Sequence, residues 1–378
     1  MAGASDVRVL SVQLRDFRTY GRAEASLGEG LTVVHGPNGA GKSNLLEALY
    51  YGCTARSPRT RNDRELVRFG AQATRVVVRL LDGTDAHELS VGFGTLPDGA
   101  QPVKRMSVDG AAVERLLDVE VRPLVSVFLP DRLELVKGPP AARRAHLDQV
   151  VAAIWPLRAS TRRQYSRVLA QRNALLGRIR SGRASDATLA TWDRELAGCA
   201  LQLQAHRSEA VSLLAEPFGE RVAQLGCSGE VVLEYRPRSR AQGEEEFLAE
   251  LRERLPAHLE RGFSGHGPHR DELAIRRDGR DLRVFGSQGE QRLALLALLL
   301  TERAVLAHAR GAVPLMLLDD VMSELDGERR ELLARELRTG GQSVIATTDL
   351  EHVPGASDAA VTRLRISPGA ILQEAIAA

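Results

Sequence analysis

The sequence feature that most restricts the fold is the octapeptide GPNGAGKS at residues 36–43, which satisfies the pattern G-x-x-x-x-G-K-[ST]. Its glycines allow backbone N–H groups to converge on a phosphate group, and the helix that follows adds the positive end of its dipole. An apolar stretch at residues 31–35 precedes the motif and a helical pattern at 44–51 follows it, as a phosphate-binding loop requires. Only three of the 51 basic residues are lysine, so Lys42 inside the motif is a specific signal. An ordinary glycine turn between a strand and a helix is the alternative.

A second motif follows an apolar strand near the other end of the chain. Residues 315–318 are apolar and are followed by Asp319 and Asp320, the form of the acidic motif that accompanies a phosphate-binding loop. We expect Lys42 to contact the β- and γ-phosphates of ATP, and Ser43 and Asp319 to hold Mg²⁺. Asp320 then lies where a base polarises the attacking water; alone, the two aspartates would indicate a helix cap or a solvated turn. The predicted nucleotide-binding residues are Gly36, Pro37, Asn38, Gly39, Ala40, Gly41, Lys42, Ser43 and Asn44, and the predicted catalytic residues are Lys42 and Asp320.

The distance between these motifs along the chain predicts an insertion. A compact P-loop domain holds them much closer together, whereas here a long helical region at residues 139–216 intervenes. Its apolar residues recur every three or four positions, with a break at 181–186 and a stop at Pro217, which predicts an antiparallel helical hairpin. The plan resembles an α/β ABC-type P-loop ATPase head, SMC-like, with an inserted helical lobe and a short helical arm. We place the two parts of the ATPase lobe at 1–140 and 256–378 and the helical insertion at 141–255.

ABC-type heads carry a Ser-x-Gly signature at the start of a helix, shortly before the acidic motif. Residues 287–290 match it in order and position, and in this plan they complete the ATP site of a second copy, which implies an ATP-dependent homodimer. An ordinary serine N-cap, with Glu290 or Gln291 as its capping partner, is the alternative. The predicted signature residues are Ser287, Gln288, Gly289 and Glu290; Asp326 matches the D-loop, and Thr347 and Thr348 match the position of a switch residue near the γ-phosphate.

A basic segment in the helical insertion suggests a DNA-binding surface. Residues 141–183 contain ten arginines and one acid, Asp148, and a surface of one sign attracts phosphates without recognising base sequence. Aromatic residues make up 4% of the chain, which disfavours a base-stacking platform for single strands. A solvated helix face in an arginine-rich chain is an equally simple explanation. The candidate DNA contacts are Arg143, Arg144, Arg158, Arg162, Arg163 and Arg167.

Several classes of protein are excluded by composition. The longest apolar run, residues 293–300, is too short to cross a bilayer, and the N-terminus has no signal-peptide pattern. The histidines of the loop at 264–271 have spacings unsuited to a metal site, so we expect that loop near the nucleotide or the dimer interface. We therefore expect a cytoplasmic protein with no membrane partner. The scattered cysteines form no CxxC pair and indicate neither a disulfide framework nor zinc: Cys53, Cys199 and Cys227.

Taken in order, the motifs resemble those of one family. GPNGAGKSNLLEA at 36–48, GPHRD at 267–271 and LLDDVMSELD at 317–326 occur together with SPRT, KGPP and GSQG segments between them. This succession is similar to the RecF family of bacterial DNA replication and repair proteins over nearly the whole chain. Two departures affect the expected loop contacts. Pro58 stands where a histidine is expected, and Asp131 and Arg132 stand where the family usually has Glu-Asp.

The resemblance implies an ATP-dependent DNA-binding protein that dimerises on ATP, hydrolyses it slowly and assists recombinase loading at gaps. Its implied partners are duplex, gapped or junction DNA and the RecO and RecR mediators, and its implied location is the nucleoid in the cytoplasm. Two alternatives are a short SMC-like mechanical ATPase and an ATP-gated DNA-binding module without significant hydrolysis. The short arm, with no Cys-x-x-Cys apex, argues against the first. Lys42 and Asp320 are both present, so the sequence gives no indication that hydrolysis has been lost, as the second alternative would require.

Overall fold

The computed structural model describes residues 7–95, 101–129 and 133–374. Its strands are β1 (Val7–Phe17), β2 (Tyr20–Ser26), β3 (Leu31–His35), β4 (Ala73–Asp82), β5 (Asp85–Gly94), β6 (Val103–Val108), β7 (Ala111–Ala112), β8 (Val125–Phe128), β9 (Val231–Arg236), β10 (Glu272–Arg277), β11 (Arg280–Asp281), β12 (Leu315–Asp319), β13 (Ser343–Thr347), β14 (Thr362–Ser367) and β15 (Ala370–Gln373). Its helices are α1 (Lys42–Thr54), α2 (Glu134–Lys137), α3 (Pro140–Ile154), α4 (Ala159–Arg180), α5 (Leu189–Gln224), α6 (Glu244–Glu253), α7 (Leu255–Arg261), α8 (Leu282–Phe285), α9 (Gln288–Arg310) and α10 (Gly327–Thr339).

The described residues divide into two compact units. Those before residue 133 and those from residue 306 onward form the first, and Leu133–Val305 forms the second. The predicted boundaries at 140 and 255 were placed by motif order and differ from this division. Residues 256–305, which we assigned to the ATPase lobe, pack within the second unit because β10 pairs with β9 along its length.

The first unit contains the parallel sheet that the apolar strands predict. Its strand order is β15-β14-β3-β13-β12-β8, and β14, β3, β13, β12 and β8 run parallel. Strands β12 and β13 are buried along their whole length, as expected where both faces of a parallel sheet are covered. Because β3 and β12 flank β13, the loop after β3 and the aspartates after Leu318 lie at the same edge of the sheet.

A second sheet of the first unit is antiparallel, with the order β2-β1-β4-β5-β6-β7. Side chains alternate along its strands, so Leu14 and Val76 are buried while Arg15 and Arg75 are exposed. Helix α1 packs against strands of both sheets. The apolar side chains of α1, Leu45 among them, join one core with residues of both sheets.

The second unit contains the predicted helical hairpin, formed by α4 and α5 around a core that includes Tyr165 and Leu196. The prediction that Pro217 ends the second helix was wrong, because α5 continues to Gln224. Proline removes one backbone hydrogen bond, but Phe218 and Val222 beyond it are fully buried, and their burial holds the helix together. In the described part of the chain, no helix combines the length and apolar composition that a bilayer span needs.

Two histidines of the second unit, the buried His258 and the half-buried His269, make its stability depend on pH. His258 accepts a hydrogen bond from Arg172 (3.4 Å), and His269 bonds to the Tyr165 hydroxyl (2.7 Å). Burial lowers the pKa of each imidazole to about 4. The unfolded chain therefore binds these protons first, and stability present above the ordinary pKa of about 6.5 is lost as the pH falls through the window from about 6.5 to 4.

We expect the denaturant midpoint of the full chain to decrease across that window, and to decrease less in His258→Gln, which removes one of the titrating groups. His87 is the control, since its hydrogen bond to Asp109 raises its pKa. His87→Gln should leave the loss toward low pH in place. An equal decrease in His258→Gln and in the wild type would contradict this account.

Candidate nucleotide-binding site

The loop between β3 and α1 has a backbone that glycine alone accommodates at several positions. Gly36, Gly39 and Gly41 have φ angles of 150°, 78° and 117°. A Cβ at Gly36 would lie 2.3 Å from the carbonyl oxygen of Ile366. Side chains at these positions would therefore be strained or would clash. Pro37, Asn38 and Ala40 complete the loop, which leads into α1 at Lys42.

Lys42 lies inside this loop and is 8% exposed. Its Nζ donates hydrogen bonds to the carbonyl oxygens of Gly36 (2.7 Å) and Pro37 (3.1 Å). Burial lowers the pKa of Lys42, and the nearby carboxylates of Asp320 and Asp319 oppose that shift. The two backbone carbonyls thus hold the ammonium group at the loop, where it can donate charge-assisted hydrogen bonds to a phosphate group.

Ser43 and Asp319 lie near one another, although they come from opposite ends of the chain. The Ser43 hydroxyl is close enough to the Asp319 carboxylate, at the end of β12, to favour its charged form. Burial raises the pKa of Asp319, and the nearby Ser43 hydroxyl opposes this shift. A hydroxyl and a carboxylate oxygen are ligands that Mg²⁺ prefers, so this pair fits the predicted metal position.

Asp320 has an unusual backbone and an unsatisfied side chain. Its φ angle is 51°, in the left-handed region. Its N–H donates to the carbonyl oxygen of Ala346 (3.0 Å), and its own carbonyl accepts from the Ser323 hydroxyl (2.9 Å). Its Oδ1 is buried and has no hydrogen-bond partner among the described residues. A buried acceptor without a donor is suited to take a proton from a bound water.

The residues predicted for the D-loop and the switch lie after β12 and β13. Asp326 caps α10 by accepting from the N–H of Arg329 (3.0 Å), and its carboxylate also pairs with the Arg329 guanidinium (2.9 Å). The Thr347 hydroxyl is buried and donates to the carbonyl oxygen of Asp349 (2.9 Å). Thr348 beside it is exposed. Of the two threonines, Thr348 therefore has the freer side chain.

A buried carboxylate next to the loop was missed by the sequence analysis. Glu47 lies on α1, one turn after Ser43, and its side chain is fully buried. It accepts two bonds from Arg18 (2.9 and 2.8 Å), one from the Ser57 hydroxyl (2.6 Å) and one from Arg59 (3.3 Å). The signal was present in the sequence, because an acid among the apolar residues of a helix needs a buried partner.

The Glu47 cluster orders the segment that follows α1. Arg59 also donates to Asn44 (3.1 Å), and its positive charge opposes the rise in the pKa of Asp319 that burial causes. Pro58 leaves these contacts in place, since its neighbours Ser57 and Arg59 both reach Glu47. The other departure, Asp131 with Arg132, lies outside the described residues.

The predicted signature starts a long helix. Ser287 and Glu290 form a reciprocal capping box, in which the Ser287 N–H donates to Glu290 (2.8 Å) and the Glu290 N–H donates to the Ser287 hydroxyl (3.3 Å). Glu290 also pairs with Arg277. Ser287, Gln288 and Gly289 are exposed, and nothing lies within 4 Å of a Cβ placed on Gly289. The serine cap is therefore formed, and the helix start is open to a ligand.

Two of the candidate DNA contacts form hydrogen bonds within the second unit. Arg143 is 5% exposed and donates to Glu272 (2.8 Å) and to the carbonyl oxygen of Gly138 (2.8 Å). Arg144 donates to the carbonyl oxygen of Asp271 (2.8 Å). The prediction that Arg143 is a surface contact was wrong, because a buried guanidinium must be paired and this one is paired within the second unit.

The other candidates lie on or just before α4 and are more accessible. Arg158 pairs with Glu209 and lies over the Trp155 ring, 4.0 Å from its centre. Arg162 is 54% exposed and pairs with Asp148 (3.2 Å). The remaining two are exposed and have no partner among the described residues: Arg163 and Arg167.

Comparisons with known proteins agree with this geometry. The model of the RecF/RecN/SMC N-terminal domain family matches residues 8–365. The DNA replication and repair protein RecF of Myxococcus xanthus is 37% identical over 365 residues, which is 93% of each chain. The chain belongs to the RecF family.

Solved structures agree with membership of the RecF family. The structure described as the recombination mediator protein RecF-ATP in the RecFOR pathway is 26% identical, covers 99% of both chains and has a TM-score of 0.84. The Smc head bound to the C-winged helix domain of ScpA is 16% identical, covers 97% of this chain and 98% of its own, and has a TM-score of 0.57. The predicted fold class, an SMC-like ABC-type head with an inserted helical lobe, is confirmed.

Proposed function

We propose that this chain is an ATP-dependent DNA-binding protein of recombinational repair and replication restart. The observation that carries the proposal is the proximity of the Ser43 hydroxyl, the Asp319 carboxylate and the buried ammonium group of Lys42 at one loop. A loop, a cation and a carboxylate in this arrangement hold a nucleoside triphosphate. The similarity to a RecF structure solved with ATP supports ATP as that nucleotide.

In the proposed site, the loop N–H groups and Lys42 bind the phosphates, and Ser43 with Asp319 holds Mg²⁺. The metal would neutralise charge on the β- and γ-phosphate oxygens. Asp320 accepts the proton of the attacking water through its unpartnered Oδ1. Its side chain is one methylene shorter than the glutamate common in ABC transporters, so we expect slow hydrolysis that serves as a switch.

The proposed assembly is an ATP-dependent dimer. The exposed helix start at Ser287 and Gly289 binds the γ-phosphate held by the other copy, since a helix N-terminus favours an anion. The dimer clamps DNA, and hydrolysis releases it. DNA affinity then depends on both ATP and protein concentration. The solved relative is described as a recombination mediator in the RecFOR pathway, which supports RecO and RecR as partners and recombinase loading at gaps as the task.

Sedimentation with ADP, with ATP, and with ATP plus a short duplex tests the dimer. We expect the wild type to double its mass with ATP and Ser287→Arg to stay monomeric, because the new side chain occupies the γ-phosphate position and repels the opposing lysine. Ser181→Arg, in the exposed turn after α4, is the matched control and should dimerise.

Loss of the serine cap costs about 1 kcal/mol, so a melting curve must first show that Ser287→Arg is folded. A wild type whose mass is the same with ADP and ATP, with or without DNA, would refute the composite site. If Ser287→Arg is folded and dimerises like the control, the signature residues are not part of the dimer interface.

A further inference from the structure

Four arginines lie in one line across the antiparallel sheet of the first unit. Arg15 on β1 is directly opposite Arg22 on β2 and Arg75 on β4. Arg75 is opposite Gly92 on β5, and Gly92 is opposite Arg105 on β6. Residues directly opposite one another project from the same face of a sheet. Strands far apart in sequence thus place these four side chains in a single row.

The row faces away from the core. Leu14 and Val76, which neighbour two of its arginines, are buried on the opposite face. Lys104, next to Arg105, also lies on that opposite face, where its Nζ is 5.2 Å from the centre of the Tyr51 ring. All four arginines are exposed, so the row forms part of the surface of the unit.

The charges of the row are not neutralised by the described residues. Arg75 donates to the Ser90 hydroxyl (2.9 Å), but none of the four arginines forms an ion pair there. Arg79, on the same face of β4, differs because it pairs with Glu88 (3.6 Å). Like charges placed directly opposite one another in a sheet are destabilising. An uncompensated row costs the fold stability, which indicates that an anion outside the chain binds it.

The length of the row fits a polyanion. Four steps between neighbouring strands span about 19 Å, and duplex DNA carries one negative charge per ~1.7 Å of its axis. The fourth position of the row is Gly92, which has no side chain, so the sugar-phosphate backbone of DNA can approach the sheet closely there. We propose that the row of Arg22, Arg15, Arg75 and Arg105 binds the phosphate backbone of duplex DNA. This inference rests on the proposed function and assigns its DNA contact to the first unit.

The salt dependence of DNA binding tests the row. Anisotropy of a labelled duplex is measured with the full chain, ATP and Mg²⁺ at several salt concentrations, for the wild type and for the triple variant Arg15→Gln, Arg22→Gln and Arg75→Gln. Each phosphate contact contributes ~0.9 to the slope of log K against log salt, so three lost contacts should lower the slope by about 2 to 3. We expect affinity near physiological salt to fall at least ~10-fold.

Three controls define the result. Arg79→Gln removes a paired arginine from the same face and should bind as the wild type does. The triple lysine variant at positions 15, 22 and 75 keeps the charge and should keep most of the slope. ATP binding should be unchanged in the glutamine variant, and its melting temperature should equal or exceed that of the wild type, because removing three positive charges relieves like-charge repulsion.

The proposal is wrong if the triple glutamine variant binds duplex DNA with the affinity and salt slope of the wild type. It is also wrong if that variant keeps its DNA binding and loses only binding to anionic lipid vesicles, since the row would then be a membrane contact. If binding is instead lost in Arg163→Gln with Arg167→Gln and kept in the row variant, the DNA contact is on α4. A wild type that binds no duplex under any nucleotide condition refutes the proposed function itself, which distinguishes that failure from failure of the row alone.

Discussion

Replacing Asp320 with asparagine is expected to reduce ATP hydrolysis by about 10²- to 10⁴-fold, the usual contribution of a general base, while ATP binding and the ATP-dependent dimer persist. The change removes the acceptor of the water proton and keeps the shape of the side chain. With release blocked, the ATP-bound dimer should accumulate on DNA. Phosphate release from ATP, measured together with nucleotide binding, separates these effects.

Asparagine is the right replacement because of the backbone at this position. Asp320 has a φ angle of 51°, and asparagine adopts the left-handed region more readily than most residues. Alanine would add backbone strain, so Asp320→Ala would mix a folding defect with a chemical one.

Asp349→Asn is the matched control, because Asp349 follows the neighbouring strand and caps a short helical turn through Glu351 N–H (3.0 Å). An asparagine oxygen also caps, so hydrolysis should be unchanged. Wild-type hydrolysis by Asp320→Asn would show that Asp320 is not the base. Loss of ATP binding in that variant would assign the residue to binding instead.

Lys42→Ala is expected to weaken ATP binding by at least ~100-fold. The Nζ of Lys42 is already positioned by the carbonyls of Gly36 and Pro37, and hydrogen bonds to charged groups contribute about 1.5–3 kcal/mol each. Removing it also takes away a positive charge that lies beside the carboxylates of Asp319 and Asp320. Titration with a fluorescent ATP analogue in the presence of Mg²⁺ measures the loss.

Lys137→Ala is the control, since Lys137 is exposed in the second unit and is one of only three lysines in the chain. It should bind ATP as the wild type does. If DNA binding requires nucleotide, Lys42→Ala should also lose duplex binding at every protein concentration. ATP affinity equal to that of the wild type in Lys42→Ala would mean that the loop does not hold the triphosphate.

Local patterns explain why much of the fold was predictable. The loop at residues 36–43 carries its own conformational requirements, and continuous apolar strands at β3, β12 and β13 are specific to a parallel sheet covered on both faces. The pairing of Ser43 with Asp319 followed from two motifs whose chemistry requires each other. The prediction that the helix ends at Pro217 was wrong because the burial of Phe218 and Val222 outweighs the one backbone hydrogen bond that proline removes.

The phosphate loop, the acidic strand end and the α/β plan could be predicted because each depends on residues close together in the chain. Three features could not be predicted before the chain was folded: the burial of Arg143 against Glu272, the pairing of Glu47 with Arg18 and Arg59, and the row of four distant arginines. Burial and cross-strand register arise from contacts between residues far apart in sequence. A shift of one residue in register would turn each of those arginines to the other face of the sheet.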